Sequence, residues 1–257
     1  MIKFSIITVT FNAGRAFSTT ADSVLSQIYS EVEHIVVDGA STDGTLDLAR
    51  RYAQRNEESA SGHEVVVRSE PDKGIYDAMQ KGLNMATGDY VCFLNAGDWL
   101  PSADTLLTIA DKIDLDCRPG VLYGDTDIVD DEGRFLRHRR LEAPERLTAL
   151  SFLHGMLVCH QSFYARTDIA RVTAYDLRYR YSADYDWCIR VLRSAERRGL
   201  AVHNTKLVLT DYLAEGLTTR NHRRSLMERL RLMARHYGWF RALAMHTWFV
   251  VRAVVKQ

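Results

Sequence analysis

EPDKGIYDAMQKGLNMATGDYVCFLNAGD, residues 70–98, predicts a helix followed by a buried strand. Apolar residues recur every four positions, which predicts an amphipathic helix over residues 75–86 that ends before Gly88. The recurring residues are Ile75, Met79 and Leu83. The apolar run at residues 90–94 is typical of a buried strand. It leads straight into residues 95–98, so an amide, a glycine and a carboxylate stand where the strand ends.

The residues before this stretch repeat the alternation of strand and helix. Short apolar runs predict strands at residues 4–9, 34–38 and 64–68. Helical patterns lie between them, at residues 16–27 and 46–55. Strands that alternate with helices favour right-handed crossovers and a parallel sheet. The sequence therefore predicts an α/β fold with a Rossmann-like, mostly parallel central sheet flanked by helices.

Polar or flexible residues follow each predicted strand, and in parallel sheets this edge binds ligands. The strand ends are Thr10-Phe11-Asn12, Asp38-Gly39, residues 69–74 and residues 95–98. Each alone is compatible with an ordinary turn, but together they gather four carboxylates: Asp38, Asp43, Asp72 and Asp98. Carboxylates that share a cleft repel one another, so such an edge favours a cation or a polyhydroxyl ligand. Neither G-x-G-x-x-G after the first strand nor G-x-x-x-x-G-K-[ST] occurs, which argues against dinucleotide-binding and P-loop proteins.

Composition and charge narrow the class of protein. The 257 residues are 46% apolar and 26% charged, with a formal net charge of zero, as is typical of a globular protein. Residues 218–257 contain nine Lys or Arg and a single acid, Glu228, which suggests an anionic partner for this tail. Because the basic charge is confined to the tail, nucleic-acid binding is not expected. Four widely spaced cysteines favour reduced thiols and a cytoplasmic location.

Four motifs, in the right order, resemble those of the family 2 glycosyltransferases of bacterial surface-polysaccharide synthesis. They are SIITVTFN (5–12), VVDGASTDGT (36–45), the stretch 70–98 and ADYDWCIRVL (183–192). The resemblance spans residues 4–100 strongly and 121–192 more loosely. It implies a GT-A fold, a nucleotide-sugar donor (usually a UDP-sugar), a divalent Mg²⁺ or Mn²⁺ ion, and inversion at the anomeric carbon.

The resemblance also implies how the chain is divided. Residues 1–100 would form the nucleotide-sugar half, and residues 101–215 the acceptor half with the catalytic base, in the same GT-A domain. Residues 216–257 would form basic amphipathic C-terminal helices.

Carried over position by position, the resemblance implies a donor-binding set along the strand ends. Thr10 and Phe11 would border the uracil and ribose, and Asp38 would accept a hydrogen bond from the base or ribose. The full set is Thr10, Phe11, Asn12, Asp38, Ser41, Asp72, Lys73 and Asn95.

Residues 95–98, Asn-Ala-Gly-Asp, take the place of the family's metal-binding element. Many members have Asp-x-Asp-Asp there, so one acid of three is kept. A cation can still be held by one carboxylate when diphosphate oxygens and water complete its shell. Asp98 is therefore the expected metal ligand, and a plain strand-to-loop turn is the alternative.

The second half is expected to carry the acceptor site. Residues 120–136 predict a β-hairpin that turns at Asp131-Glu132-Gly133. Residues 144–166 are expected to end in an apolar strand that carries His154, His160 and Gln161. By resemblance, His160 and Gln161 line the acceptor pocket; buried side chains with satisfied hydrogen bonds are the alternative.

The catalytic base is expected just before a helix in ADYDWCIRVL. The family has Glu-Asp-Tyr-Asp here, and Ala183 replaces the Glu. The resemblance implies that Asp184 removes the proton of the acceptor hydroxyl and that Asp186 supports it. For either acid the alternative is a helix N-cap stabilised by the helix dipole.

The tail predicts two amphipathic helices separated by Gly238. Their apolar stripes are Leu226, Leu230, Met233 and Tyr237, and then Phe240, Ala244, Trp248 and Val251. Two alternatives stay open: peripheral contact of residues 220–257 with anionic membrane on its inner face, beside a polyprenyl-linked acceptor, or packing on the domain. Arg220 is a further candidate on the acceptor side, since a mobile basic loop could close over the diphosphate.

The leading function is transfer of a sugar from a nucleotide-sugar to a hydroxyl of a cell-surface glycan or lipid-linked saccharide. One rival is a sugar-1-phosphate nucleotidyltransferase, which would need a glycine-rich first loop that this chain lacks. The other is a non-catalytic nucleotide-sugar-binding protein, which would bind donor without turnover.

Overall fold

The structure is a computed structural model that describes residues 1–214 and 222–255 of the chain. Its strands form one mixed sheet. Its strands are β1 (Phe4–Thr10), β2 (Val32–Asp38), β3 (Glu64–Ser69), β4 (Tyr90–Phe93), β5 (Val121–Val129), β6 (Phe135–His138), β7 (Phe163–Arg166) and β8 (Val202–Leu213). The helices are α1 (Arg15–Leu25), α2 (Thr45–Glu57), α3 (Ile75–Met85), α4 (Thr105–Asp111), α5 (Thr167–Ala170), α6 (Ala183–Arg197), α7 (His222–Tyr237) and α8 (Trp239–Val255). Two 3-10 helices, Ala149–His154 and His160–Ser162, precede β7.

The strand order gathers the ends of the first strands at one edge. The order is β3-β2-β1-β4-β7-β5-β6, and β8 also pairs with β5. β1 to β4 are parallel, while β7 runs antiparallel between β4 and β5. Thr10 pairs with Asp38, and Asp38 with Ser69. The final residues of three strands therefore lie side by side, as the predicted parallel sheet requires.

The elements predicted for the first hundred residues are confirmed to within a few residues at each end. The predicted hairpin is confirmed as well, because β5 pairs antiparallel with β6 and the chain turns between Asp130 and Gly133. Gly82 explains how α3 packs so closely on the sheet. A Cβ at Gly82 would overlap the side chain of Ile7 on β1.

The apolar strand predicted at the end of residues 144–166 is confirmed as β7, but the prediction that it carries His154, His160 and Gln161 is wrong. Only β7 forms a strand there, and His154, His160 and Gln161 lie in the two 3-10 helices. Local capping explains the difference. Thr148 exchanges hydrogen bonds with Ser151 at the start of the first 3-10 helix, and a glycine with positive φ follows its end.

The helix that carries the acids begins earlier than predicted. α6 starts at Ala183, so Asp184 and Asp186 lie in its first turn rather than before it. Trp187 anchors α6: its buried ring meets Phe93 edge-on and stacks on Tyr175, each at a centroid distance of 5.5 Å. Because Phe93 is the last residue of β4, this packing holds the start of α6 beside the end of β4.

The C-terminal helices pack on the domain through one face and expose another. α7 buries Leu232 and Met233, and α8 buries Ala242 and packs Phe249 against the same core. The stripe predicted for the second helix lies largely outside this contact, since Phe240 and Trp248 are exposed. Among the described residues, none of the helices combines the length and hydropathy needed to cross a bilayer.

His34 should make the stability of the fold depend on pH. It is fully buried on β2, between the Thr8 hydroxyl (2.8 Å) and the Tyr52 hydroxyl (2.6 Å). Burial, and then the nearby His63, lower the pKa of His34 from 6.5 to about 3. The unfolded chain therefore takes up a proton below pH 6.5 that the folded chain refuses, so stability is full above pH 6.5 and falls as the pH drops.

Through His34, the wild type should lose about 2 kcal/mol of unfolding free energy between pH 7 and pH 5. His34→Gln should not show this loss. Urea unfolding at a series of pH values measures this slope. His203→Gln, which removes an exposed histidine from β8, is the matched control and should leave the slope unchanged. Equal slopes in the wild type and His34→Gln would contradict the assignment.

Candidate active site

The loops after β1 and β2 are joined by hydrogen bonds around Asp38. The Asp38 carboxylate is fully buried and accepts from the Ser41 amide (3.0 Å), the Ser41 hydroxyl and the Ser69 hydroxyl (2.6 Å). Asn12, which has a positive φ of 49°, donates its amide to Ser41 and accepts from the Thr42 amide. Asp38, Asn12 and Ser41 therefore shape this edge of the sheet together.

A shallow surface lies beside this network, between the ends of β1 and β3. Phe11 is 63% exposed, and the Thr10 hydroxyl is enclosed with no hydrogen-bond partner among the described residues. A Cβ at Gly39 would overlap the Asp72 carboxylate and crowd the Phe11 ring. Glycine there lets Asp72 and Phe11 approach each other. Lys73 follows Asp72 and is exposed at the rim.

The residues after β4 form a tight turn around Asp98. Gly97 adopts a positive φ of 106°, a region that glycine enters without strain. The Asp98 carboxylate accepts from the Gln161 side-chain amide (2.7 Å) and from the Leu213 backbone amide (3.2 Å). Burial raises the pKa of Asp98 to about 6, although Gln161, Leu213 and His160 each act to lower it. This carboxylate is therefore short of positive partners.

Asp184 sits at the centre of a second hydrogen-bonded group. The Tyr76 hydroxyl donates to Asp184 Oδ1 (2.8 Å), and His160 Nδ1 lies 3.3 Å from Asp184 Oδ2. On its other side, His160 Nε2 lies 3.2 Å from the Asn95 side-chain nitrogen. With the proton of His160 on Nδ1, Asn95 donates to His160 and His160 donates to Asp184. Asn95, His160 and Asp184 thus form one chain across the ends of β4 and α6.

The Asp184 carboxyl is held ionised by its neighbours. Burial alone would raise its pKa, but the contacts with His160 and the hydrogen bond from Tyr76 outweigh burial, so the pKa lies below its ordinary value. The side chain keeps about one fifth of its surface exposed. An ionised, partly accessible carboxylate is what a general base needs before its substrate binds.

Asp186 faces away from this group. It is fully buried, forms an ion pair with Arg190 Nε (2.6 Å), and lies 2.7 Å from His236 Nε2 of α7. Burial would raise the pKa of Asp186, but His236 and Arg190 outweigh it and lower the pKa. Asp186 therefore links α6 to α7. Within the described part of the chain it shares no hydrogen-bond or ion-pair partner with Asp184.

The predicted acceptor-side residues join the two groups. Gln161 bonds Asp98, and His160 bonds both Asn95 and Asp184. Arg220 lies outside the residues that the structure describes.

One contact of Asp184 and one nearby charge have no signal in the sequence. Tyr76 stands within the 70–98 motif, but no pattern marks its hydroxyl as a partner of Asp184. Arg229 of α7 also acts to lower the pKa of Asp184 and lies over the Tyr185 ring at 5.5 Å.

The donor atoms of the site decide whether it can hold a metal ion. Residues 1–214 and 222–255 contain no cluster of three His, Cys, Asp or Glu side chains suited to a cation. The Asp98 carboxylate nonetheless has lone pairs left after its two hydrogen bonds. The side-chain oxygen of Asn95 is enclosed and lacks a partner in the described structure. These oxygens fit a hard cation that arrives with a diphosphate and is completed by it.

Comparison with known proteins finds similarity to glycosyltransferases, both in a family model and in a relative. A family model described as Glycosyl transferase family 2 matches residues 5–172. A PGL/p-HBAD biosynthesis glycosyltransferase of Mycobacterium bovis (strain BCG / Pasteur 1173P2) is 34% identical over 188 residues, which cover 73% of this chain and 68% of the relative.

Solved structures share the architecture. S. aureus TarS 1–349 in complex with UDP-GlcNAc superposes with a TM-score of 0.68 at 20% identity, covering 91% of this chain and 66% of that one. A mannosyltransferase, PcManGT from Pyrobaculum calidifontis, in complex with GDP-Man and Mn²⁺, gives a TM-score of 0.61 at 16% identity, covering 97% and 75%. This chain thus spans slightly under two thirds of the TarS fragment. At these identities the likeness shows the fold alone, and the predicted GT-A fold is confirmed.

Proposed function

The chain belongs to glycosyl transferase family 2, and on that premise we propose that it transfers a sugar, with inversion, from a UDP-sugar to an acceptor hydroxyl. The acceptor is a cell-surface glycan or a lipid-linked saccharide. The observation that carries the proposal is the Asp184 carboxylate, held ionised by Tyr76 and His160 beside the end of β4. A nucleotide-binding protein without turnover would not need a prepared base there.

In the proposed reaction the acceptor hydroxyl attacks the anomeric carbon from the face opposite the leaving UDP. Asp184 accepts the hydroxyl proton as the new bond forms. His160 and Tyr76 keep the carboxylate oriented, and Asn95 fixes the His160 ring. One displacement inverts the configuration, so a second nucleophilic carboxylate is not required. Asp186 supports this arrangement by anchoring α6.

We assign donor binding to the edge formed by β1, β2 and β3. The exposed ring of Phe11 is available to stack on the base, and the unpaired Thr10 hydroxyl to bond the nucleotide. Asp38, Asn12 and Ser41 hold the loops that form this surface, and Asp72 and Lys73 line its rim. Residues 1–100 then form the donor half, and residues 101–215 the acceptor half.

We propose that a divalent cation, Mg²⁺ or Mn²⁺, binds together with the donor through Asp98 and the side-chain oxygen of Asn95. When bound, it screens the negative charge that develops on the leaving diphosphate. Asp98 supplies the anionic ligand, and Gln161 and Leu213 fix its orientation. In this proposal His160 and Gln161 lie between Asp98, which would hold the cation, and Asp184, which would meet the acceptor.

One experiment tests the proposed function as a whole. UDP- and GDP-sugars are screened by calorimetry with Mn²⁺, and release of nucleoside diphosphate is then measured with a lipid-linked saccharide acceptor. We expect a UDP-sugar to bind and UDP to be released only with acceptor. Pyrophosphate release from a nucleoside triphosphate would identify a nucleotidyltransferase instead, and donor binding without turnover would identify a binding protein.

We further propose that the enzyme works in the cytoplasm, as a peripheral protein on the inner face of the membrane. Four large apolar side chains of α8 are exposed: Trp239 (59%), Phe240 (94%), Leu243 (51%) and Trp248 (56%). α7 and α8 also carry exposed arginines: Arg231, Arg235 and Arg241. Apolar side chains framed by basic ones are complementary to an anionic lipid surface.

We expect Trp239→Ser with Phe240→Ser to weaken binding to phosphatidylglycerol vesicles about tenfold, because two partly inserted rings lose their apolar contact. Vesicle flotation measures the bound fraction. Phe135→Ser with Leu136→Ser removes two exposed apolar side chains from β6 and is the matched control. Equal flotation of both double variants would exclude the α8 face as the membrane contact.

A further inference from the structure

A cleft of about 500 Å³ lies between α6 and the residues that follow α5. It is on the face of α6 opposite to the one where Asp184 meets Tyr76 and His160. Its lining residues are Val172, Thr173, Arg190, Arg193, Glu196 and Arg197. Three guanidinium groups and one carboxylate give this lining a formal charge of +2. The cleft belongs neither to the donor edge nor to the acceptor side, and the proposed reaction does not use it.

The arginines of the cleft are placed by their spacing on α6 and held by specific bonds. Arg190, Arg193 and Arg197 stand at intervals of three and four residues, which puts them on one face of the helix. Arg190 Nε bonds the buried Asp186. Arg193 donates to the backbone carbonyl of His236 (2.8 Å) and packs on the Tyr237 ring. Two of the three guanidinium groups are thus pre-oriented.

The positive charge of this face is only partly neutralised. Arg190 Nη2 is enclosed and has no hydrogen-bond partner within the described residues. Arg193 and Arg197 form no ion pair with a carboxylate anywhere in that part of the chain, whereas their neighbours Arg190 and Arg198 do. Glu196 contributes the one negative group, and one of its oxygens already accepts from the Ala149 amide (2.8 Å).

We propose that this cleft binds a phosphate group. Guanidinium forks match phosphate oxygens in pairs, and arginines that are already oriented lose little freedom when the anion binds. The volume is ample for a phosphate or diphosphate ester. Arg193 also contacts His236 and Tyr237, the residues just before the α7–α8 corner with its exposed Trp239 and Phe240. The phosphate is therefore carried either by a lipid headgroup or by a ligand free in solution.

Calorimetric titration of the full chain with inorganic phosphate, and flotation with vesicles that contain phosphatidate, test the proposal in two arms. Arg197→Gln should weaken phosphate binding about tenfold, as expected for one charge-assisted contact. Arg198→Gln removes the same charge from the adjacent position but pairs with Asp168 outside the cleft, and it should leave binding unchanged. Arg193→Gln is a second cleft variant, read with a thermal melt because it also loosens α7.

Binding of inorganic phosphate that is lost in Arg197→Gln supports a soluble ligand. Phosphatidate flotation that is lost in Arg197→Gln, and that inorganic phosphate displaces, supports a lipid headgroup. Failure of both probes to bind the wild type overturns the proposal. Equal weakening by Arg197→Gln and Arg198→Gln overturns it as well, because the effect would then be one of net charge. Neither result depends on sugar transfer, so the proposed function is tested separately.

Discussion

Asp184→Asn is expected to leave donor binding intact and to reduce the rate of sugar transfer by roughly 10²–10⁴-fold, the usual contribution of a general base. The amide keeps the volume of the carboxylate but cannot accept the acceptor's proton. Donor binding should survive because Asp184 contacts Tyr76 and His160 rather than the edge with Phe11 and Asp38. Calorimetry with the UDP-sugar and the rate of acceptor-dependent UDP release measure the two effects.

Two comparison variants separate catalysis from folding. Tyr76→Phe removes one hydrogen bond but leaves the charge of Asp184, so its rate should fall much less than that of Asp184→Asn. Asp186→Asn makes the same chemical change two residues along the same helix, at a carboxylate that anchors α6 to Arg190 and His236. Asp186→Asn should lower the melting temperature clearly and the rate of transfer only slightly. Near-normal turnover of a folded Asp184→Asn would move the base to another residue.

The difference between these two acids shows where sequence reasoning ends. Successive α-helical residues are rotated by about 100°, so residues two apart point in nearly opposite directions. The sequence therefore indicates that Asp184 and Asp186 diverge, but not which of them meets the strand ends. That choice depends on Trp187, which directly follows Asp186 and packs against Phe93 and Tyr175. Contacts of this kind are tertiary and have no local signal.

Local patterns explain what could be predicted. The strands and helices of the first hundred residues follow from apolar periodicity, and the parallel sheet from their alternation. The partners of the base could not be predicted in the same way, because Tyr76 lies 108 positions before Asp184. The strand expected at the end of residues 144–166 is shorter than predicted and begins after Gln161 for a local reason. A reciprocal cap between Thr148 and Ser151 started a short helix that the apolar pattern did not reveal.

Asp98→Ala is expected to weaken Mn²⁺-dependent binding of the UDP-sugar by about ten- to a hundredfold, the range expected when a charged contact is lost. In the proposal, Asp98 is the one acid that stands where the family resemblance implies the metal-binding element. Burial raises its pKa to about 6, against the lowering effects of the hydrogen bonds from Gln161 and Leu213 and of nearby His160. A cation bound with the diphosphate would supply positive charge beside this buried carboxylate, so donor and metal should bind cooperatively at Asp98.

The decisive measurement is donor affinity with and without Mn²⁺ in three proteins. The wild type should bind more tightly with Mn²⁺, and Asp98→Ala should lose this difference. Asp211→Asn is the matched control: Asp211 is a partly buried carboxylate that Trp99 hydrogen-bonds at 3.1 Å, and burial raises its pKa as well. It should keep the full effect of Mn²⁺, since Asp211 pairs with Trp99 rather than with Gln161. If Asp98→Ala responds to Mn²⁺ as the wild type does, Asp98 is a structural residue of the β4 turn, and any cation is held by other oxygens.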